Sequence, residues 1–340
     1  MSDGKAGHLN QGMAVAEMVE EALGSRLKAR GIKERPIVKI RVVEIRFKNA
    51  FARMLLDASS LFASSWCQGC LRCLRFLLKK ESFDKIKNQY ADIVISCGAS
   101  TVGAGIFLKY ENNAKSAVIM KPGLGRSRKT NLVILPRHDA PKKVRLNMII
   151  TEAAPNRIQP GHKKGSGIGL LIGGDAKNFK LKREEVEKVI NGVLKIAEEM
   201  NQDIFVTTSR RTSSEIDSLL KNRLANHRCC KLLVIAKEAN PEGTVRKILD
   251  SSEVVIVSPE SISMISEAAS SGRYVVVFKR SSMSKGKYEK SIANLQSHGY
   301  IKSAAPDEIY NTLRCFLTEK PHIKKIEDRE KIIKRLEVVI

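Results

Sequence analysis

Short β-rich apolar runs alternate with helical stretches along the whole of this 340-residue chain. Strands are expected at Val38–Ile45, Asp92–Ser96, Ala117–Met120, Leu132–Leu135 and Met148–Thr151 in the first half. In the second half they are expected at Ile168–Ile172, Ile204–Thr207, Leu232–Ala236, Val254–Val257 and Tyr274–Phe278. Helical spacing falls between them, at Leu9–Arg30, Asn49–Tyr90 (broken), Thr101–Tyr110, Lys182–Met200, Thr212–Asn226, Pro241–Asp250, Ser261–Ser271 and Asp307–Thr318. Continuous apolar strands alternating with helices predict parallel sheets covered on both faces. The expected fold class is α/β, with two Rossmann-like doubly wound domains. The Pro/Gly-rich, basic stretch from Ala154 to Gly165 has no periodicity and reads as the linker. It divides an amino-terminal domain, 1–155, from a carboxyl-terminal one, 166–318. The remainder, 319–340, holds a helix expected at Ile323–Leu336, which could pack back on the first domain.

Parallel α/β sheets bind ligands at the carboxyl ends of their strands, so the residues just after each strand matter most. After Val257 comes a Ser-rich turn, Ser258-Pro259-Glu260-Ser261, and then a helix with Ser263, Met264 and Glu267. A helix N-terminus with Ser hydroxyls attracts phosphate, and a glutamate one turn further in can accept hydrogen bonds from a ribose diol. A plain N-cap followed by a solvated Glu fits the same residues. Gly173-Gly174 after Ile172 permits a tight turn near a diphosphate, with Lys177 able to neutralise one phosphate. Thr207-Thr208-Ser209-Arg210-Arg211-Thr212 supplies hydroxyls and two guanidinium groups suited to a pyrophosphate. N-capping and solvation explain these residues singly. Their coincidence along one sheet edge points to a nucleotide diphosphate.

The chain opens on Asp3-Gly4-Lys5-Ala6-Gly7-His8-Leu9-Asn10-Gln11, where Asp3 and His8 are both feasible general bases. Only Met1 and Ser2 precede this turn, leaving the strand it would normally follow unaccounted for. A second Gly-rich turn, Cys97-Gly98-Ala99-Ser100-Thr101, offers Ser100 and Thr101 as N-caps. Its spacing is not that of a Walker A loop, so nucleoside triphosphate hydrolysis is unsupported. Lys121–Arg126 and Pro136–Asp139 bring cations and a His–Asp pair to strand ends, with a surface position expected for His138. Cys67, Cys70 and Cys73 lack a fourth ligand, and no metal is assigned to them.

Charge narrows the partners. The formal net charge is +24, and residues 1–165 hold 30 Lys and Arg against 13 Asp and Glu. A basic surface meets polyanions. Only 5% of residues are aromatic and no reader motif is present, so no nucleic-acid partner is assigned. Between Arg46 and Lys80, Phe51, Phe62, Trp66 and Phe76 interleave with Arg53, Arg72, Arg75, Lys79 and Lys80. That pattern suits either a membrane interface or core helices with solvated edges. No spanning segment and no signal-peptide pattern is legible, and seven cysteines without a disulfide framework suit reduced thiols. The expected location is cytoplasmic, peripheral on the inner face of the cytoplasmic membrane.

Taken together, Asp3–His8 with Asn10-Gln11, Ser96-Cys97-Gly98, Lys121-Pro122, Asn147–Pro155, Ile172-Gly173-Gly174 with Phe179, Thr207–Thr212, and Ser261 with Ser263–Ala268 resemble the motifs of the ELM-type mitochondrial-fission family, in a bacterial member. Members look like glycosyltransferases of the two-Rossmann-domain (GT-B) type, a resemblance that implies two domains facing a central cleft. The resemblance implies a metal-independent sugar transferase of the cell envelope. Its nucleotide-sugar donor, a substrate and not a cofactor, would be held by Gly173, Gly174, Lys177, Thr208, Ser209, Arg210, Arg211, Ser261, Ser263, Met264 and Glu267. Asp3 or His8 would deprotonate a lipid-linked or lipopolysaccharide-type acceptor at an anionic membrane surface. A non-catalytic membrane-associated adaptor and a nucleotide-sugar epimerase remain the alternatives.

Overall fold

The computed structural model describes residues 1–69, 71–87, 89–161, 165–176, 179–279, 286–322 and 324–340. The chain divides into two compact units: Met1–Arg157 with Glu327–Ile340, and Ile158–Ile326.

The first unit runs α1 (Ala6–Ala29), α2 (Ala50–Ser59), α3 (Arg72–Leu77), α4 (Lys80–Asp84), β1 (Ile93–Cys97), α5 (Ala99–Glu111), β2 (Lys115–Ile119), β3 (Leu132–Pro136) and β4 (Met148–Thr151). Its four strands are parallel in the order β1-β2-β3-β4. Met1 and Ser2 extend this sheet beyond β1. The Cys97 N–H donates to Met1 O at 3.3 Å, and Ser2 makes a parallel bridge to Glu44. They lie immediately before Asp3, on the side where a preceding strand is expected.

The strand expected at Val38–Ile45 reduces to that one bridge. Ile40 and Val42 are exposed there. The broken helix expected over Asn49–Tyr90 is α2, α3, α4 and a single 3₁₀ turn at Ser65–Cys67. Val94 and Val118 face α5 through Val102 and Ile106, whereas Ala117, Ile119, Leu132 and Ile134 pack on α1 through Ala14, Val15 and Met18.

The second unit holds β5 (Gly167–Leu171), α6 (Arg183–Glu199), β6 (Ile204–Thr207), α7 (Ser214–Leu224), β7 (Cys230–Val234), α8 (Thr244–Ser251), β8 (Ser252–Val257), α9 (Ile262–Ser270), β9 (Tyr274–Phe278), α10 (Lys287–Ser297), β10 (Lys302–Ala304) and α11 (Ile309–Glu319). Its sheet is parallel throughout, ordered β7-β6-β5-β8-β9-β10. In strand sequence this is the dinucleotide-fold order 3-2-1-4-5-6, with its switch point between β5 and β8. Strand alternation divides the core cleanly. Val254 and Ile256 pack with Val189, Val193 and Leu313 on one face, and Val255 and Val257 pack with Ile265, Ala268 and Ile292 on the other.

The closing helix α12 (Asp328–Val339) belongs to the first unit and buries Ile332 and Leu336 against the α1 side of its sheet. It starts later than the Ile323–Leu336 expected from sequence; Ile323 lies outside the described residues. The Asp328 carboxyl accepts the N–H groups of Glu152 (3.0 Å) and Ala153 (2.8 Å), which fixes the start of α12 beside the exit of β4.

Candidate functional site

In the second unit, the loops leaving β5 and β8 meet at the switch point. The Gly173 N–H donates to Ser258 Oγ at 2.7 Å, and the Ser258 hydroxyl donates to Glu260 Oε1 at 2.9 Å. Glu260 is buried, and its other oxygen, Oε2, has no hydrogen-bond partner among the described residues. Burial pushes this carboxyl above its ordinary value, against the opposing pull of neighbouring N–H groups and the Ser258 hydroxyl. Gly173 is required here by close approach. A β-carbon on it would stand 1.7 Å from Glu260 Oε1 and 2.9 Å from Ser258 Oγ. The Thr212 hydroxyl donates to the Gly173 carbonyl and accepts the Ser209 N–H at 2.9 Å, so the β6 loop is tied into the same knot.

Helix α9 begins at this knot. Ser261 Oγ accepts the Met264 N–H at 3.4 Å, and Ser261 O accepts the Ile265 N–H at 3.0 Å. The N–H groups of Ile262 and Ser263 make no hydrogen bond to a described residue and remain available to an anion. Glu267 lies one turn further along, half-buried, with no hydrogen bond to a described residue. Burial raises its carboxyl to about 7.

The expected donor residues separate into groups. Gly173, Ser209 and Ser261 belong to the switch-point loops, Ser263 and Glu267 to the first turns of α9. Gly174 packs against the Arg211 backbone, and Arg211 donates to Asp175 O at 2.8 Å, so this guanidinium bridges the two loops. Arg210 is exposed beside it. Thr208 is turned away: it is buried, and its hydroxyl accepts the Ala236 N–H at 3.0 Å beyond β7. Met264 packs partly into the apolar core under α9. Lys177 lies outside the described residues. Ser258, Glu260 and Thr212 were not singled out from sequence as ligand-site residues. The signal was Glu260 itself, a carboxylate placed between a buried strand and a helix cap.

In the first unit the equivalent place is where the chain leaves Met1-Ser2 beside the carboxyl end of β1. There, His8 Nδ1 lies 2.9 Å from Asp3 Oδ1. Lys5 Nζ donates to Asp3 Oδ2 at 3.0 Å and Ser100 Oγ to the same oxygen at 3.4 Å. Burial pushes the Asp3 carboxyl up, but the Lys5 hydrogen bond and the neighbouring imidazole outweigh it and hold the group below its ordinary value. A carboxylate facing Nδ1 selects the tautomer with hydrogen on Nδ1 and leaves Nε2 as the proton acceptor. Gly98 lies directly beneath, with φ +87°, and a β-carbon there would come within 2.7 Å of His8 Nδ1. Gly98, not Ser100 or Thr101, caps α5; the Thr101 hydroxyl instead donates to Cys97 O and Gly98 O, because both residues already lie inside the helix.

Other strand-end residues are engaged elsewhere. Arg126 is ion-paired with Asp57 at 3.0 Å. The His138 side chain is buried, 3% exposed, and not at the surface as expected, because a 3₁₀ turn at Arg137–Asp139 folds it inward. Cys67 is partly buried and Cys73 exposed, while Cys70 lies outside the described residues. Among the described residues, no cluster of three or more ligating side chains suits a metal ion.

Two parallel-sheet units, each with its candidate residues at a switch point, define a GT-B-like Rossmann architecture. Solved structures of this kind include MurG from Acinetobacter baumannii, with 13% identity, a TM-score of 0.51, and coverage of 99% of this chain and 98% of that one. The UDP-GlcNAc 2-epimerase of Methanocaldococcus jannaschii has 10% identity and a TM-score of 0.52, covering 96% of each chain. At such identities the likeness is one of fold. The chain itself belongs to the mitochondrial fission ELM1 family, whose model matches residues 6–328. An uncharacterised protein of Rickettsia prowazekii is 25% identical over 231 residues, which are 55% of this chain and 64% of that relative's length.

Proposed function

We propose that this protein is a glycosyltransferase that takes a sugar from a nucleotide-sugar donor and passes it to an anionic, membrane-associated glycan or lipid. The observation that carries the reading is the switch point of the second unit. There the open N–H groups of α9, the glycine-lined end of β5 and the half-buried Glu267 stand along one sheet edge. The diphosphate would lie on Ile262 and Ser263 N–H with Arg210 nearby, and the ribose hydroxyls would donate to Glu267. Arg211 would contribute through the loop it holds together.

In the first unit, His8 is the proposed base and Asp3 its orienting partner, taking the proton from an acceptor hydroxyl through Nε2. As the sugar–phosphate bond breaks, the helix N-terminus and the guanidinium would stabilise the charge that develops on the leaving diphosphate.

Uridine diphosphate sugars are the first donors to test, since the epimerase of like fold is named for one. The test is incubation of donor with membrane extract, following release of nucleoside diphosphate and transfer of labelled sugar. Release that depends on acceptor and on His8 supports transfer. Conversion of the donor to an isomer without acceptor would replace this reading with epimerisation.

A further inference from the structure

We propose that the segment from α2 through α3 is a docking face for an anionic lipid bilayer. Helix α2 carries its apolar stripe on the outside. Phe51, Met54 and Leu55, spaced i, i+3 and i+4, are all exposed, while Ala52 and Leu56 on the other side are buried. The chain then presents Phe62, 85% exposed, and Trp66, 94% exposed, before α3 adds Phe76. These side chains are not loose ends of a disordered stretch. The same segment is anchored to the core by Leu56, Ala63, Leu74 and Leu78. A rigid scaffold thus holds large apolar groups in water, which soluble proteins rarely do over a contiguous segment.

Charge selects the occupant. Residues 46–80 contain seven Lys and Arg and one acidic residue, Asp57. That carboxyl is already ion-paired with Arg126. A second copy docked face to face would oppose like charges, since a two-fold contact uses the same patch twice. Anionic headgroups meet both halves of the pattern: the aromatic groups enter the interface while Arg72, Arg75, Lys79 and Lys80 bind phosphate. No described helix is long and apolar enough to cross a membrane, so the contact is interfacial. The inference does not depend on sugar transfer. Arg126 ties α2 to the start of α5: it pairs with Asp57 and reaches Ala99 O at 3.4 Å, and the next residue, Ser100, contacts Asp3.

The chain contains a single tryptophan, so Trp66 reports on its own surroundings. Its emission is expected to shift to the blue with phosphatidylcholine vesicles containing phosphatidylglycerol, and not with phosphatidylcholine alone. In flotation, the Phe51→Ser/Phe62→Ser variant should lose most of its binding. Replacing Arg72, Arg75, Lys79 and Lys80 by Gln should weaken binding on the order of fivefold per charge, with added salt mimicking that loss. All of these side chains are exposed, so folding is unaffected, and an unchanged melting temperature verifies it. Unchanged emission with anionic vesicles overturns the proposal. So does equal flotation of wild type and variants, or a lipid-independent dimer that the serine variant converts to monomer. Nucleotide binding by the variants separates this outcome from failure of the transferase reading.

Discussion

Glu260 is folded over Gly173 so closely that no side chain fits between them; a β-carbon on the glycine would fall 1.7 Å from Oε1. The carboxyl is held by Ser258, which also accepts the Gly173 N–H, so one serine hydroxyl couples the ends of β5 and β8. Gly173→Ala must push a buried carboxyl out of place. The expected cost is about 1–3 kcal/mol, read by chemical denaturation, together with loss of nucleotide binding. A variant with unchanged stability would show that the loop yields freely.

Glu267 gives the second unit a titration near neutrality. Its carboxyl is raised by burial from 4.5 to about 7, so it is harder to ionise folded than unfolded. The contribution to stability is complete below the unfolded value and is lost as pH rises toward and through 7. Glu267→Gln should remove on the order of 2–3 kcal/mol of that pH dependence. Ribose hydroxyls donate best to the ionised form, so donor binding near pH 7 should release protons. Calorimetry in buffers of different ionisation enthalpy measures this directly.

His8 and Asp3 should separate binding from turnover. His8→Ala is expected to lower kcat by about 10²–10⁴-fold with donor affinity unchanged, because none of the proposed donor contacts is made by His8. Asp3→Asn should have a smaller effect of the same kind through the tautomer of His8. Gly98→Ala adds a β-carbon 2.7 Å from Nδ1 at a φ of +87° and should behave like a loss of His8. Steady-state kinetics distinguish these cases.

Asp328 ties α12 to the exit of β4 through two backbone N–H groups. Asp328→Ala leaves both buried donors without that acceptor and should destabilise the first unit by about 1–3 kcal/mol. Donor binding to the second unit should survive. A melt followed by a first-unit probe such as Trp66 tests it.

Much of this was legible in the chain. Val254–Val257 and Tyr274–Phe278 are uninterrupted apolar runs because both faces of a parallel sheet are covered, and such runs announce themselves. Lys302–Ala304 did not, since an edge strand of three residues needs no apolar pattern. Lys287–Ser297 escaped for a similar reason: few of its positions, among them Ile292 and Leu295, are buried. At the candidate site, the glycines and hydroxyls at strand ends were visible. Their partners were not. Thr208 turns to Ala236, and Glu260 comes to rest on Gly173, 87 positions away in the chain. Those pairings depend on strand order, which local pattern does not encode. Arg126 reads as a free cation in sequence and is spoken for by Asp57 only once α2 packs on α5.

The most direct measurement is a thermal-shift titration of wild type and Glu267→Ala with nucleoside mono- and diphosphates and nucleotide sugars. The account predicts that at least one nucleoside diphosphate or its sugar raises the melting temperature of the wild type, and that Glu267→Ala, folded, loses the shift. Absence of a shift with every nucleotide in folded wild-type protein would contradict the donor site and, with it, the proposed transferase.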